Sequence, residues 1–216
     1  MEHTEQQVPR GNLWVISAAS GTGKTSLVAE LLNQVPNIAV STSHTTRSPR
    51  PGEEGGVHYH FVSQDAFLAM VRRGEFLEHA QVFDNFYGTS KAEVESRLAR
   101  GQDVVLEIDW QGAEQIRAEF SGVKSIFILP PSKEALRERL TGRGQDSEEV
   151  IERRLAGSLR EMQQFVHFDY LVVNDCFTTA LEELKSIVTA ARLVTSLQST
   201  RHIQLIVNLL DAVDLS

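Results

Sequence analysis

The chain has 216 residues, 41% of them hydrophobic and 23% charged, enough for one α/β domain with small inserted lobes. Its net charge of −8 argues against non-specific attraction to nucleic acid or an anionic membrane, while leaving room for a local basic pocket. Cys176 is the single cysteine, so no intrachain disulfide can form, which fits a reducing cytosol.

The polar start, MEHTEQQVPRGN, lacks the apolar core of a signal peptide, and residues 1–11 read as a disordered tail punctuated by Pro9 and Gly11. No apolar run approaches the ~20 residues of a membrane span. A soluble cytoplasmic protein is therefore expected. Asn12 to Ser17 form a short apolar run bounded by a loop, the pattern of a buried strand. From Lys24 to about Gln34, Leu27, Val28, Leu31 and Leu32 recur at helical spacing. Residues 41–90 break the pattern with Gly52, Gly55 and Gly56, the alternating run HYHFV and a small helix near 64–73, and read as an inserted lobe, part sheet and part loop. Ser90 and Glu93 make a capping box that opens a helix. VVLEI (104–108), SIFIL (125–129) and YLVVN (170–174) repeat the buried-strand pattern, each followed by a helical segment. That alternation predicts a parallel sheet with helices on both faces. TGRGQDS (141–147) is a loop between two helical segments, with Asp146 and Glu149 placed to cap the second. The last segment, HIQLIVNLLDAV, has the apolar spacing of one helix face, suited to the core or to another copy of the chain.

Residues 17–26, SAASGTGKTS, sit between the first strand and the first helix and nearly match a phosphate-binding loop. Gly23, Lys24 and Thr25 fit the motif, but its first glycine is Ala18. That departure matters only where a positive φ or the absence of a Cβ is required. Successive backbone N–H groups in such a turn hold phosphate oxygens, Lys24 supplies a point charge, and the Thr25 hydroxyl suits Mg²⁺. The bland alternative is a strand-to-helix turn that happens to contain lysine. Further on, Arg47 and Arg50 lie three apart with Tyr59 downstream, which suits a second phosphate, against the alternative of a solvated basic loop. His44, His58, His60 and His79 lack a cysteine or third close ligand and read as polar lobe residues, with His58 and His60 alternating on one strand face.

SHTTRSPRPGE, EFLEHAQVFDNFYGTS, LEIDWQGA, ILPPSKEAL, GRGQDSEEVIERRL and YLVVND together resemble guanylate kinase of the bacterial type, in order from about residue 12 to 212. Bacterial members are similar to this chain in carrying Ala at the first motif position, although the family often has Pro where Ala19 stands. The resemblance implies a P-loop nucleoside monophosphate kinase of the α/β class. Its parallel sheet core is flanked by helices and carries a mixed α/β GMP-binding lobe and a helical lid. The implied division is a core of 12–42, 91–138 and 166–212, a GMP-binding lobe of 43–90 and a lid of 139–165. The implied reaction moves the terminal phosphoryl group of ATP to GMP, and to deoxy-GMP, with Mg²⁺ accompanying ATP. Small-molecule substrates are expected, without nucleic acid or membrane partners, and homo-oligomer formation is left open.

The resemblance also implies residue roles. The acceptor phosphate falls to Arg47, Arg50, Tyr59 and Tyr87, and guanine to Glu78, with Ser43 and Thr89 as hydroxyls and Asp109 as a second carboxylate. A carboxylate accepts both the N1–H and N2 amino donors of guanine, whereas adenine would leave such a site unpaired. The donor ATP falls to Ala18, Ala19, Ser20, Gly21, Thr22, Gly23, Lys24, Thr25 and Ser26, with Arg139, Arg143 and Asn174. The transfer itself falls to Lys24, Arg47, Asp109, Arg143 and Arg154, with Thr25 as the metal ligand. Phosphoryl transfer needs positioning and charge more than covalent help, so no nucleophile is assigned. Two other readings share parts of this pattern: a kinase of the same architecture acting on AMP, and a non-catalytic guanylate-kinase-like scaffold module.

Overall fold

The computed structural model describes residues 8–82, 84–141 and 148–210. Strand β1 (Leu13–Ala18) is central because every side chain from Leu13 to Ser17 is buried, so both of its faces must be covered. Trp14 and Ile16 point to one face, against Leu27, Val28 and Leu31 of α1 (Lys24–Gln34) and Leu184 and Val188 of α7 (Phe177–Arg192). Leu13 and Val15 point to the other, against Val94 and Leu98 of α3 (Lys91–Ala99) and Ala113 and Ile116 of α4 (Trp110–Glu119). Each such aliphatic side chain contributes about 1.5–3 kcal/mol on burial. The period-two alternation of one strand thus dictates a three-layer α/β/α core.

The core sheet runs β2 (Ile38–Val40), β7 (Asp103–Leu106), β1, β8 (Lys124–Leu129), β9 (Tyr170–Val173), with every pairing parallel. The chain passes from β7 on one side of β1 to β8 on the other. The C-terminal ends of β1 and β7 therefore open side by side at the crevice where α/β sheets take ligands. Asp103 of β7 is 2% exposed and accepts from Asn12 N–H at 2.7 Å and Arg192 Nε at 2.8 Å, which ties the strand to the end of α7.

The inserted lobe is a second sheet, ordered β4 (His60–Phe61), β3 (His44–Thr45), β6 (Asn85–Ser90), β5 (Phe76–Val82). Only β3 and β4 run parallel. Helix α2 (Gln64–Arg72) starts at Ser63, whose hydroxyl accepts from Ala66 N–H, and buries Phe67 against Phe76 and Phe86 at 4.6 and 5.6 Å between ring centroids. Ser90 caps α3 as its motif requires, accepting from Glu93 N–H. Helices α5 (Lys133–Thr141) and α6 (Glu148–Met162) are joined by an Arg137–Glu152 ion pair, and a 3₁₀ turn follows at Gln163–His167. The proposed cap at Asp146 lies outside the described residues.

The structure differs from the sequence reading in five places. Residues 8–11, read as tail, are held on α3: Arg10 pairs with Glu95 and Gly11 N–H donates to Leu98 O. Strand β2 carries no alternation to detect because it is three residues long. Strand β9, expected to be buried, is the sheet edge, with Val172 inside and Tyr170, Leu171 and Val173 exposed. His58 lies outside β4, where its Nδ1 accepts from Glu54 N–H, so it shares no strand face with His60. The C-terminal segment 202–213 forms the expected helix as α9 (Ile203–Leu210), separated at His202 from α8 (Thr195–Arg201), but α9 buries none of its residues and so does not pack on the core.

Candidate functional site

The loop after β1 explains the tolerated alanine. Ala18 is the last residue of β1, pairs with Ile128 and packs its Cβ on the core. Among the described non-glycine residues only Asn37 has positive φ, so the Ala18 position makes no demand for glycine. The demand falls on Gly21 and Gly23, at φ 88° and 92°. A Cβ on Gly23 would stand 2.5 Å from Asn174 Nδ2. Ala19 is buried, and its carbonyl accepts the Thr22 hydroxyl at 3.0 Å. Asn174, 5% exposed, donates from Nδ2 to Thr22 O at 2.7 Å. Arg139 reaches the same region, donating to Thr22 O at 3.3 Å and Asn174 O at 3.0 Å. These bonds brace the loop from behind without a proline. They also place Arg139 and Asn174 on the loop's outer wall.

Gly23 is the N-cap of α1 and offers no side chain to its first N–H groups. Those donors and the helix dipole therefore remain for an anion. Ala18 to Ser26 line a concavity of ≈ 210 Å³, with Thr25 and Ser26 exposed at its helical side. Lys24 Nζ lies 3.7 Å from Glu107 Oε2. Burial pulls the Lys24 pKa down, and the carboxylates of Glu107 and then Asp109 oppose that pull. Glu107 is a site residue that the motifs do not mark, although 107 and 109 follow β7 two apart, the spacing that puts alternate residues on one side of an extended chain.

A second cavity of ≈ 440 Å³ opens from the loop toward the inserted lobe. Ser20 and Lys24 of the loop, Ser43, Tyr59, Glu78 and Tyr87 of the lobe, Glu107 and Asp109 beyond β7 and Glu161 of α6 all line it. Residues as far apart in the chain as Ala18 and Glu161 thus face one space. Glu78, on β5, is 5% exposed and accepts from Thr89 Oγ1 at 2.6 Å. Burial pushes its carboxyl up to about 7, with a further push from Asp109 and an opposing pull from the Thr89 hydrogen bond. Gly112, in the first turn of α4, leaves room for it, since a Cβ there would stand 3.0 Å from Glu78 Oε2. Asp109 is the N-cap of α4, and its Oδ1 accepts from Gly112 N–H at 2.9 Å. One carboxylate thus fixes the helix that encloses the other.

Arg47 follows β3 and lays its guanidinium over the rings of Tyr59 and Phe61, at 5.5 and 5.9 Å. The Tyr59 and Tyr87 rings meet edge-on at 6.0 Å. Burial raises the Tyr59 pKa, so its phenol remains a hydrogen-bond donor. Arg50 is exposed on the same loop. From the other side, α6 presents one face to the phosphate loop: Arg154 Nη2 donates to Ser20 Oγ at 3.2 Å and the Ser158 hydroxyl to Ser20 O at 3.4 Å. Glu161, on that same face and half-buried, was also missed by sequence reading. Its pKa is raised by burial, against a pull from the Ser20 N–H. An acidic residue within a charged helix carries no local signal that it faces a cavity. Arg143 lies outside the described residues.

A family model described as guanylate kinase matches residues 10–191. A guanylate kinase from Saccharophagus degradans is 58% identical over 202 residues, covering 94% of this chain and 98% of that one. One from Acinetobacter baylyi is 56% identical over 200 residues, covering 93% and 97%. Among solved structures, guanylate kinase from Anaplasma phagocytophilum aligns with a TM-score of 0.74 at 32% identity, covering 95% of this chain and 98% of that one.

Proposed function

The chain belongs to the guanylate kinase family, and from that premise we propose how its residues divide the work of transfer. The enzyme moves the terminal phosphoryl group of ATP to GMP, giving ADP and GDP. The observation that supports the residue roles best is the shared cavity, where buried Glu78 and its Thr89 donor face the same space as Lys24. Glu78 accepts the N1–H and N2 amino donors of guanine, and Ser43 and Thr89 supply hydroxyls. Asp109 adds a second carboxylate at the end of β7. Arg47, Arg50, Tyr59 and Tyr87 hold the acceptor phosphate by charge-assisted and phenolic bonds. No described residue is assigned to the ribose 2′-hydroxyl, and deoxy-GMP is therefore proposed as a second acceptor.

The donor phosphates lie in the concavity of Ala18 to Ser26, held by loop N–H groups and by Lys24. Thr25, exposed at the head of α1, offers the hard oxygen that suits a magnesium ion arriving with ATP. Such an ion neutralises charge on the phosphate oxygens when bound. Arg154 and Arg143 add positive charge from the lid segment, proposed as residues 139–165, and Arg139 acts on the loop from behind. The attacking phosphate oxygen of GMP is already anionic and needs no general base. Lys24 stabilises charge on the group in flight, and lid closure keeps water from competing for it. The reaction is assigned to the cytoplasm, where a single free cysteine persists. Among the described residues no helix is long and apolar enough to cross a membrane.

A coupled assay of ADP formation from Mg-ATP, with GMP, deoxy-GMP, AMP, CMP and UMP in turn, tests this reading. Turnover with the guanine nucleotides alone is expected. Turnover with AMP would overturn the assignment of Glu78.

A further inference from the structure

Arg47 is held more firmly than an arginine on a solvent-facing loop needs to be. Its Nη1 donates to Ser48 O at 2.7 Å and its Nη2 to Glu53 Oε1 at 2.8 Å. Its backbone N–H is taken by Thr45 Oγ1 at 3.2 Å, and its flat face rests over Tyr59 and Phe61. Glu53 is fixed in turn, because its second oxygen accepts from Arg50 N–H at 2.7 Å. One carboxylate therefore closes the segment 47–53 from both sides, binding the first arginine by its side chain and the second by its backbone. Both partners are largely shielded, with side-chain exposures of 15% and 18%.

We infer that Glu53 is a positioning residue for the acceptor phosphate: it holds Arg47 and the backbone at Arg50 in the receiving geometry before GMP arrives. An arginine free to sample its rotamers loses that freedom when it grips a phosphate, and a preformed ion pair removes the loss from the binding step. The alternative, that Glu53 is a stand-in which the phosphate must expel, is disfavoured by its second bond. A carboxylate anchored to a backbone N–H of its own loop does not swing away without opening that loop. Arg47 keeps further N–H donors beyond the two committed to Ser48 and Glu53, so clamp and phosphate share one guanidinium. Arg47, first among several causes, holds the Glu53 carboxyl down at about 2, so the clamp stays charged at any working pH.

The inference rests on Arg47 as a ligand of the acceptor phosphate, and its test separates the two. Glu53→Gln, Glu53→Asp and Arg47→Ala, with the Glu53→Gln/Arg47→Ala double variant, are compared by steady-state kinetics in GMP and in ATP and by thermal melting. Glu53→Gln is expected to raise the KM for GMP roughly tenfold, leaving the KM for ATP and the melting temperature unmoved. Glu53→Asp, which keeps the charge at shorter reach, should recover part of the loss. In the Arg47→Ala background Glu53→Gln should add nothing, because the residue acts through Arg47. An unchanged or lower KM for GMP in Glu53→Gln overturns the inference, as does an equal rise for ATP. An Arg47→Ala variant with normal KM for GMP would instead remove the phosphate assignment, and the inference with it.

Discussion

Lys24 and Glu78 face one cavity but are held there for opposite reasons. Lys24 must stay charged although burial favours its neutral form, and Glu107 and Asp109 offset that tendency. On the proposed role, Lys24→Ala removes charge aimed at the transferring group. It should lower kcat by about two to three orders of magnitude while the circular dichroism spectrum and melting temperature persist; near-normal turnover in the folded variant would remove Lys24 from the chemistry. In the proposed role Glu78 must be ionised to accept both guanine donors, yet burial raises its pKa to about 7 from the ordinary 4.5. Apparent affinity for GMP should therefore grow as pH rises through about 7, and Glu78→Gln should lose both the affinity and that pH dependence. The stability effect runs the other way. A carboxyl raised in the folded state binds its proton more tightly there than in the unfolded chain, so its contribution is full below about 4.5 and is lost as pH rises through about 7. Glu78→Gln should consequently melt a few degrees above the wild type at pH 8 and no higher at pH 4.5. Equal melting temperatures at pH 8 would show that ionising Glu78 carries no penalty in the folded state.

At the scale of elements, the phosphate loop depends on its backbone more than on its motif. Ala18 occupies strand geometry with its Cβ in the core, whereas Gly23 combines φ 92° with the approach of Asn174. Ala18→Gly should leave kcat/KM for ATP within about twofold and lower the melting point slightly, since glycine in a strand costs roughly 0.5–1 kcal/mol. Gly23→Ala should raise the KM for ATP by an order of magnitude or more, because the added methyl must push away the amide that braces Thr22. If both variants behave alike in ATP kinetics, the motif position rather than the φ angle governs the loop. Helix α9 shows the converse, an element formed by local pattern that buries none of its side chains among the described residues. Its apolar residues recur at helical spacing, yet Ile203, Leu205, Leu209 and Leu210 are all more than half exposed.

At the scale of the whole molecule, the proposed acceptor site belongs to neither sheet alone. Ser43, Glu78 and Tyr87 reach its cavity from the lobe, while Asp109 caps a core helix. A ligand spanning them stabilises both units together, so GMP without ATP, at about 100 times its Kd, should raise the melting temperature by roughly 5–10 °C. AMP at equal concentration should raise it far less; equal shifts would mean that the lobe does not read the base. The buried strands β1, β7 and β8, the helices α1 and α3, and the loop between β1 and α1 were legible in the chain because each depends on neighbours in sequence: apolar runs, capping residues and turn glycines. The family was legible because motif segments such as SHTTRSPRPGE, LEIDWQGA and YLVVND agree with it in order. Strand β2 was too short to show a period, and the exposure of β9 depends on which strand ends the sheet, a matter of topology. The placements of Glu53 against Arg47, and of Glu107 and Glu161 at the cavity, were hidden for the same reason. A carboxylate shows its function only when folding brings it to a guanidinium, an ammonium or a loop N–H. Local propensity reaches a few residues along the chain, whereas the charge field around Lys24 is assembled from Glu107, Asp109 and Glu161, residues that only the tertiary fold brings to it.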